Sequence, residues 1–427
     1  MSNKTMRFVV KELKSRLNNN KEGKVLAGNF GYMMVLQFAG YLFPLITIPY
    51  LARVIGVEGF GKIAFATAVV LWFQTITDWG FNYTATRDVA QNRDNSEKVS
   101  EIFSNVLWAR ILLMTVSAGL LLLAITLVPY LGENKVIILL TFMLIPGHIM
   151  FPEWFFQAME KMKFITIFSL VSKVLFTAMV FFFIKEKEDY ILQPIFMSLG
   201  YLVCGLAAMY LIVVKWQVEI QSPRWGAITA TIYKSSDVFI TNIMPNFYYG
   251  FSTLFVGVLW GATSNGVLDA GRKFVGISEQ FLNVISRVFY PYLARNDNKH
   301  GVYVKINLVI TLFAFLSLFT CAPLIIEAFF TPEFHSAVPV LQISSLSLIF
   351  LSLRNIYGVN YLLLRGHEKI SRNIIIYTSI FGFLITFPFV YFFDYIGAAI
   401  VAVVIHAIQG IWMMSAAKAI SRKLPAI

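Results

Sequence analysis

The chain has 427 residues, of which 58% are hydrophobic and only 14% charged, with a mean hydropathy of +0.69 and a formal net charge of +12. This composition excludes a soluble globule and a disordered chain. The positive charge collects at the ends of hydrophobic runs, so it reads as an orientation signal and no nucleic-acid partner is expected.

Hydrophobic runs of about 20 residues or more, each able to cross a hydrocarbon core of about 30 Å, predict about twelve helices. They lie near 30–51, 63–85, 104–131, 135–157, 164–184, 191–214, 236–260, 265–293, 305–330, 338–363, 371–391 and 395–417. A membrane β-barrel would show alternating segments of about ten residues instead. On this map about 25 basic residues fall on the side holding both termini, about 5 on the opposite side and about 5 within helices. Cytoplasmic loops collect Lys and Arg, so the chain reads as an all-α polytopic membrane protein with both ends in the cytoplasm.

The basic N-terminal segment 1–28 carries Lys4, Arg7, Lys11, Lys14, Arg16, Lys21 and Lys24, suited to anionic lipid. It has no apolar core of a cleaved signal peptide. Spans 1–6 occupy 29–214 and spans 7–12 occupy 236–417, with a cytoplasmic C-terminus at 418–427. Between the halves, 215–235 reads as a linker with Pro223 and a mildly amphipathic stretch from Arg224 to Lys234. Cys204 and Cys321 both fall in predicted spans and read as packing residues rather than a disulfide or metal site.

The halves echo one another. Gly56 and Gly61 flank the turn between spans 1 and 2, and Gly261 and Gly266 flank the turn between spans 7 and 8. Parallel six-span repeats place binding sites at the interface of the halves. The repeated pentapeptide at 49–53 and 291–295 ends spans on opposite sides, so it is not part of that repeat. Gly56 to Lys62 also spells most of a phosphate-binding loop. Ile63 stands where Ser or Thr is needed, and no strand precedes it, so nucleotide binding is rejected.

A charge at the bilayer centre costs about 2.5–3.5 kcal/mol even on insertion scales, so each one asks for a reason. In span 8, Asp269, Arg272, Gly276, Glu279, Asn283 and Ser286 recur at helical spacing and form one polar face. Span 7 offers Asn242, Asn246, Tyr249 and Thr253. Span 2 offers Thr67, Gln74, Asp78 and Asn82, and span 1 offers Gln37, Gly40, Pro44 and Thr47. Polar and small residues also serve as interhelical glue. That reading suits the Ser, Thr and Gly positions better than Arg272 and Lys273, whose adjacent charges repel unless an anion or Asp269 neutralises them. Lys173 and Arg354 either face the same cavity or make structural ion pairs with Asp78 or Glu279. Arg110 is expected to snorkel toward the surface. Arg53 and Lys62 mark the outer mouth, rimming a cavity or facing headgroups. Pro44, Pro49, Pro146 and Pro245 permit bends.

Pro49-Tyr50-Leu51-Ala52-Arg53 with Gly56, Gly59 and Gly61, then Asp78-Trp79-Gly80-Phe81 and Thr86-Arg87, resemble the opening of the Wzx-type polysaccharide flippases. These belong to the multidrug/oligosaccharidyl-lipid/polysaccharide exporter superfamily. Pro152 to Gln157, Glu160 to Lys163 and Lys173 continue the likeness, and Gly266 to Lys273 is similar to the family's span 8. Ala158 stands where the family usually has Gly, and Asp269 where Tyr or Ser is expected. The resemblance implies two six-helix lobes around a central cavity lined by spans 1, 2, 7 and 8. It implies a cargo of undecaprenyl-pyrophosphate-linked oligosaccharide moved to the outer leaflet of a bacterial inner membrane, for O-antigen or capsule assembly.

In that frame Arg272, Lys273, Lys173, Arg354 and Arg53 supply cavity cations for a diphosphate. Asn242, Asn246, Tyr249, Asn283 and Gln37 supply polar contacts, and Asp78, Glu279 and Asp269 are candidates for ion coupling. The expected mechanism is alternating access without a cofactor, with membrane lipid around the chain. A proton or sodium gradient, a polysaccharide polymerase and a chain-length regulator are the further implied partners. The alternatives are a cation-coupled multidrug exporter of the same superfamily and a membrane polymerase of the same pathway.

Overall fold

The structure is a computed structural model that describes residues 21–295 and 299–423. The expected basic segment lies outside the described residues as far as residue 20, as does 424–427 at the other terminus. Among the described residues the ordered elements are all helical. Hydrocarbon offers no partner for a backbone N–H or C=O, and a helix satisfies both internally.

Helices α1 (21–55) and α2 (57–78) form the run Lys21–Asp78, broken at Gly56 with φ 66° and ψ −178°, a conformation nearly confined to glycine. Asn29 Nδ2 donates to Glu160 O at 2.9 Å and Thr86 Oγ1 to Trp154 O at 3.2 Å, so both far ends of this run return to the same side. Trp79 and Gly80 take positive φ before the helix resumes at Phe81–Gln91. Then follow α3 (Ser96–Leu127), α4 in three pieces (Lys135–Phe142, Leu144–Met150, Glu153–Ala158), α5 (Met162–Phe183) and α6 (Leu192–Tyr210). These six make the first lobe.

The second lobe starts with α7, whose halves Trp225–Ile243 and Tyr249–Trp260 flank a tight turn at Met244–Phe247 containing Pro245. The helix thus begins at Trp225, inside the stretch expected as linker, and the amphipathic stretch after Arg224 forms its first turns. Gly261 (φ 87°, ψ −174°) turns the chain into α8 (Ala262–Arg295). Next come α9 (His300–Thr320) and α10, which runs through Ala337–Ser345, Ser347–Leu353 and a π-helical stretch, Arg354–Leu363. Helices α11 and α12 (368–393 and 395–423) share the run Glu368–Lys423, broken at Asp394.

Among the described residues, 8 helical stretches are long and apolar enough to cross a membrane. Two of these, Gly28–Gln91 and Glu368–Ser421, contain a chain reversal and each supply a pair of spans. Helices α7 and α8 fail that apolar test because of their inward polar faces, and they complete the twelve. The protein is a multi-pass membrane protein of two six-helix lobes.

The halves of α7 belong to different lobes. The first packs on the N-lobe: Trp79 stacks on Phe239 with centroids 3.8 Å apart and donates Nε1–H to Ile232 O at 3.0 Å. Lys234 pairs with Asp88 at 2.5 Å. The second half packs on the C-lobe, with Trp260 Nε1 donating to Val390 O at 2.9 Å. The lobes share a continuous apolar core at the end carrying the Gly56 and Gly261 turns. There Ile48, Leu51, Ile55 and Phe60 meet Val267, Leu268, Phe330, Phe334 and Val340. We call this the turn end, and the opposite end, where α1 begins and α12 finishes, the terminal end.

Candidate functional site

Charged side chains lie within the spans of both lobes, and most are already neutralised. Lys273 pairs with Asp269 at 2.8 Å, one helical turn apart on α8. Arg354 from α10 meets Glu279 of α8 at 3.1 Å, the ion-pair alternative raised by the sequence. Asp78 at the end of α2 pairs with Arg110 of α3, whose guanidinium also reaches His148 O. Arg110 therefore does not snorkel. It is 5% exposed, because its height on α3 brings it level with the α2 carboxylate. Asp78, Asp269, Glu279 and Arg354 keep between 25% and 32% of their side-chain surface accessible. Partly accessible charges at this depth are costly in lipid and call for water or protein beside them.

Arg272 and Lys273 are adjacent in sequence but point into different surroundings. Lys273 Nζ lies 5.7 Å from the ring of Phe60, on the N-lobe side. Arg272 turns into the C-lobe, 6% exposed. It donates to Ser252 Oγ at 3.2 Å and to Ala398 O at 2.8 Å, and stacks 4.6 Å from the centroid of Tyr249. Its Nε finds no partner. Tyr249 exposes 41% of its surface while Arg272, Glu279, Asp269 and Lys273 all act on it electrostatically, which places its ring at the edge of the charged space. Among the described residues Arg272 makes no ion pair: its hydrogen bonds go to neutral groups, and the Asp269 carboxylate acts on it only at longer range.

Lys173 on α5 is the other incompletely matched cation. It is half-buried and feels Glu153 electrostatically, with no ion pair or hydrogen bond among the described residues. Glu153 opens the last piece of α4 after Pro152 and is solvent-accessible, under the influence of Lys173, Asp78 and Arg110. Beside it His148 stacks on Tyr201 at 4.2 Å. Glu153 stands out in the sequence only as part of the motif Pro152 to Gln157, not as a site residue, and His148 is not singled out at all. A carboxylate and an imidazole bracketing a Pro in an otherwise apolar span are the signal that points to them.

The remaining expected residues divide. Gln37 of α1 reaches Gln280 of α8 at 3.5 Å, and Asn246 donates to Thr75 Oγ1 at 3.1 Å, so both bridge the lobes. Asn242 is exposed. Asn283 accepts from Asn355 at 2.8 Å within a buried amide and hydroxyl network that continues through Asn360, Ser286, Tyr303 and Asn307. Asn283 is thereby tied to α10 through groups far away in sequence. Arg53 stands apart from the others: at the turn end it reaches Ala328 O at 3.5 Å. Lys62, in the rejected nucleotide motif, pairs with Glu58 at 2.7 Å and lies over Tyr190. Cys204 is buried against Phe168 O, and Cys321 is exposed. At the terminal end, outside the spans, Arg93 holds the Glu160 carboxyl below its ordinary value through a 2.9 Å hydrogen bond.

This arrangement leaves Lys173 and Arg272 without ion-pair partners beside exchangeable ion pairs, chemistry suited to an anion, and it includes amides and a phenol suited to hydroxyl groups. The fold is similar to several solved transporters at low identity. One is a lipid II flippase MurJ in an inward closed conformation, with TM-score 0.68, 14% identity, 91% of this chain and 87% of that chain. Another is an inward-facing multidrug resistance MATE family transporter of the MOP superfamily, with TM-score 0.63, 13% identity, 89% of this chain and 96% of that chain. In sequence, the chain is 30% identical over 393 residues to a "Putative O-antigen transporter" of Escherichia coli (strain K12), covering 90% of this chain and 94% of the relative. A Shigella dysenteriae protein of the same name is 23% identical over 397 residues, covering 91% and 99%. A family model described as polysaccharide biosynthesis protein matches residues 26–297. With the family-specific residues of α1, α2, α4 and α5 all inside that match, the chain belongs to the polysaccharide biosynthesis protein family.

Proposed function

We propose that the protein is a flippase for lipid-linked oligosaccharide repeat units in O-antigen or capsule assembly. It carries an undecaprenyl-pyrophosphate headgroup from the inner to the outer leaflet of a bacterial inner membrane by alternating access. The observation that supports this reading is that two cations at membrane depth, Arg272 and Lys173, lack an ion-pair partner among the described residues. A lipid diphosphate must shed water to cross, and fixed cations in a low-dielectric space replace that water. Names borne by the relatives point to the same cargo class.

The basic residues collect at the terminal end, which supports a cytoplasmic location for it. The shared core at the turn end supports a state closed there and open toward the cytoplasm. Asn242, Asn246 and Tyr249 meet sugar hydroxyls, while the polyprenyl chain stays in lipid between the lobes. Asp78, Asp269 and Glu279 are ion-paired here. Coupling to a proton or sodium gradient then runs through exchange of those pairs, an arriving diphosphate competing for the cation as the carboxylate takes up the ion. Arg53, tied to Ala328 O, serves the turn-end closure rather than the cargo.

A cation-coupled drug exporter shares the fold, but a cationic drug gains nothing from Arg272 and Lys173. The test is flipping of lipid-linked oligosaccharide in proteoliposomes by Arg272→Ala and Lys173→Ala. Loss in both supports the reading, and unchanged turnover in both rejects it.

A further inference from the structure

The turn end is closed by two symmetric backbone crossings. A Cβ at Gly61 of α2 would lie 1.7 Å from Ala262 O and 2.7 Å from Gly266 N of α8. A Cβ at Gly266 would lie 2.1 Å from Val57 O of α2. Counting from the two turn glycines, Val57 corresponds to Ala262 and Gly61 to Gly266, so each half presses its glycine onto the other half's first helical carbonyl. Only the absence of a side chain at both positions permits this approach.

The same register pairs Phe60 with Asn265, and here the halves part company. Phe60 is 6% exposed and plugs the C-lobe, edge-on to Phe330 at 6.0 Å and Phe334 at 5.6 Å. Asn265 is 0% exposed, and neither its Nδ2 nor its Oδ1 has a hydrogen-bond partner. The space above Gly257 is filled by both the Asn265 amide and the ring of Phe65 from α2, so an N-lobe side chain helps shield that amide from water. One side of the closure is an aromatic plug. The other is a buried amide that water would satisfy as soon as the lobes part.

We propose that Asn265 is a built-in counterweight: an orphaned amide, exposed to water on opening, that holds the glycine-crossed turn end near balance instead of permanently shut. The proposal rests on the alternating-access reading for its use, but the closure and its bias are measurable without cargo. A buried unpaired amide shifts the open-to-closed ratio by on the order of tenfold toward open. Asn265→Leu, with the same branched heavy-atom skeleton and no polar atoms, therefore favours the closed form by that factor. Gly61→Ala acts in the opposite direction, since a Cβ forces the crossing helices apart by about an ångström or more.

The experiment is a spin-label distance distribution between Glu133→Cys and His335→Cys, on opposite lobes at the turn end, in a Cys321→Ser background reconstituted in nanodiscs. The expected wild type shows a short and a long separation. Asn265→Leu depletes the long one about tenfold, and Gly61→Ala enriches it. A two-peaked wild type that Asn265→Leu leaves unmoved overturns the counterweight while sparing alternating access. A wild type confined to the short separation overturns both. Asn265→Leu exchanges the amide nitrogen and oxygen for methyl groups without touching the crossing glycines, so its outcome stands whether or not Gly61→Ala folds.

Discussion

The Asp78–Arg110 pair offers a severe test of the electrostatic description. Arg110 keeps 6% of its side-chain surface accessible and Asp78 keeps 26%, so the two partners face unequal consequences when orphaned. Asp78→Asn leaves a buried guanidinium with His148 O at 3.5 Å and an unpartnered Nε. Breaking a buried pair from one side costs about 3–5 kcal/mol, and this substitution should fall at that level. Arg110→Met leaves a carboxylate that interior water reaches, so its cost should be smaller, about 1–3 kcal/mol. The double variant removes both charges and should be less destabilised than Asp78→Asn alone. Thermal unfolding of the purified protein in detergent, over all four members of the cycle, reads these differences. Strictly additive effects, or Arg110→Met costing more than Asp78→Asn, would refute the assignment of Arg110 as the more deeply buried partner.

Three further outcomes are expected. Glu279→Gln loses a pair whose partners are 32% and 25% accessible, so it should cost only about 1 kcal/mol in unfolding, while changing any ion dependence of transport. Gly80→Ala adds a Cβ 2.7 Å from Val238 Cγ1 at a residue with φ 79°, and should cost about 1–3 kcal/mol by thermal unfolding. The Glu160 carboxyl, held below its ordinary value by the Arg93 hydrogen bond, contributes stability above the unfolded carboxyl's pKa and loses it as pH falls through the folded one. Both partners are solvent-exposed, so Arg93→Ala should change the acid limb of a stability profile by under about 1 kcal/mol.

Helix count and the inward faces of α7 and α8 were legible in the chain because hydropathy and helical periodicity are local properties. So was the Lys273–Asp269 pair, four residues apart. The Asp78–Arg110 pair was not, because nothing in an apolar α3 signals that its arginine meets a carboxylate on the preceding helix. The amide network of Asn283, Asn355 and Asn360 was hidden for the same reason, its members lying on helices brought together only by folding. The repeated glycine spacing at 56–61 and 261–266 was visible, but spacing does not reveal that each glycine lies on the other's carbonyl. The linker between the lobes is shorter than the sequence suggests because the first turns of α7 are polar where they pack on the N-lobe, as Lys234 does on Asp88.

The central claim is that interior cations compensate a lipid diphosphate in transit. Its most direct measurement compares, in proteoliposomes, flipping of one oligosaccharide carried on polyprenyl diphosphate with the same oligosaccharide on uncharged polyprenol. The account expects the diphosphate form to flip much faster in the native protein, and that advantage to vanish in the Arg272→Ala, Lys173→Ala double variant. Equal rates for the two carriers, or an advantage that survives the double variant, would contradict it.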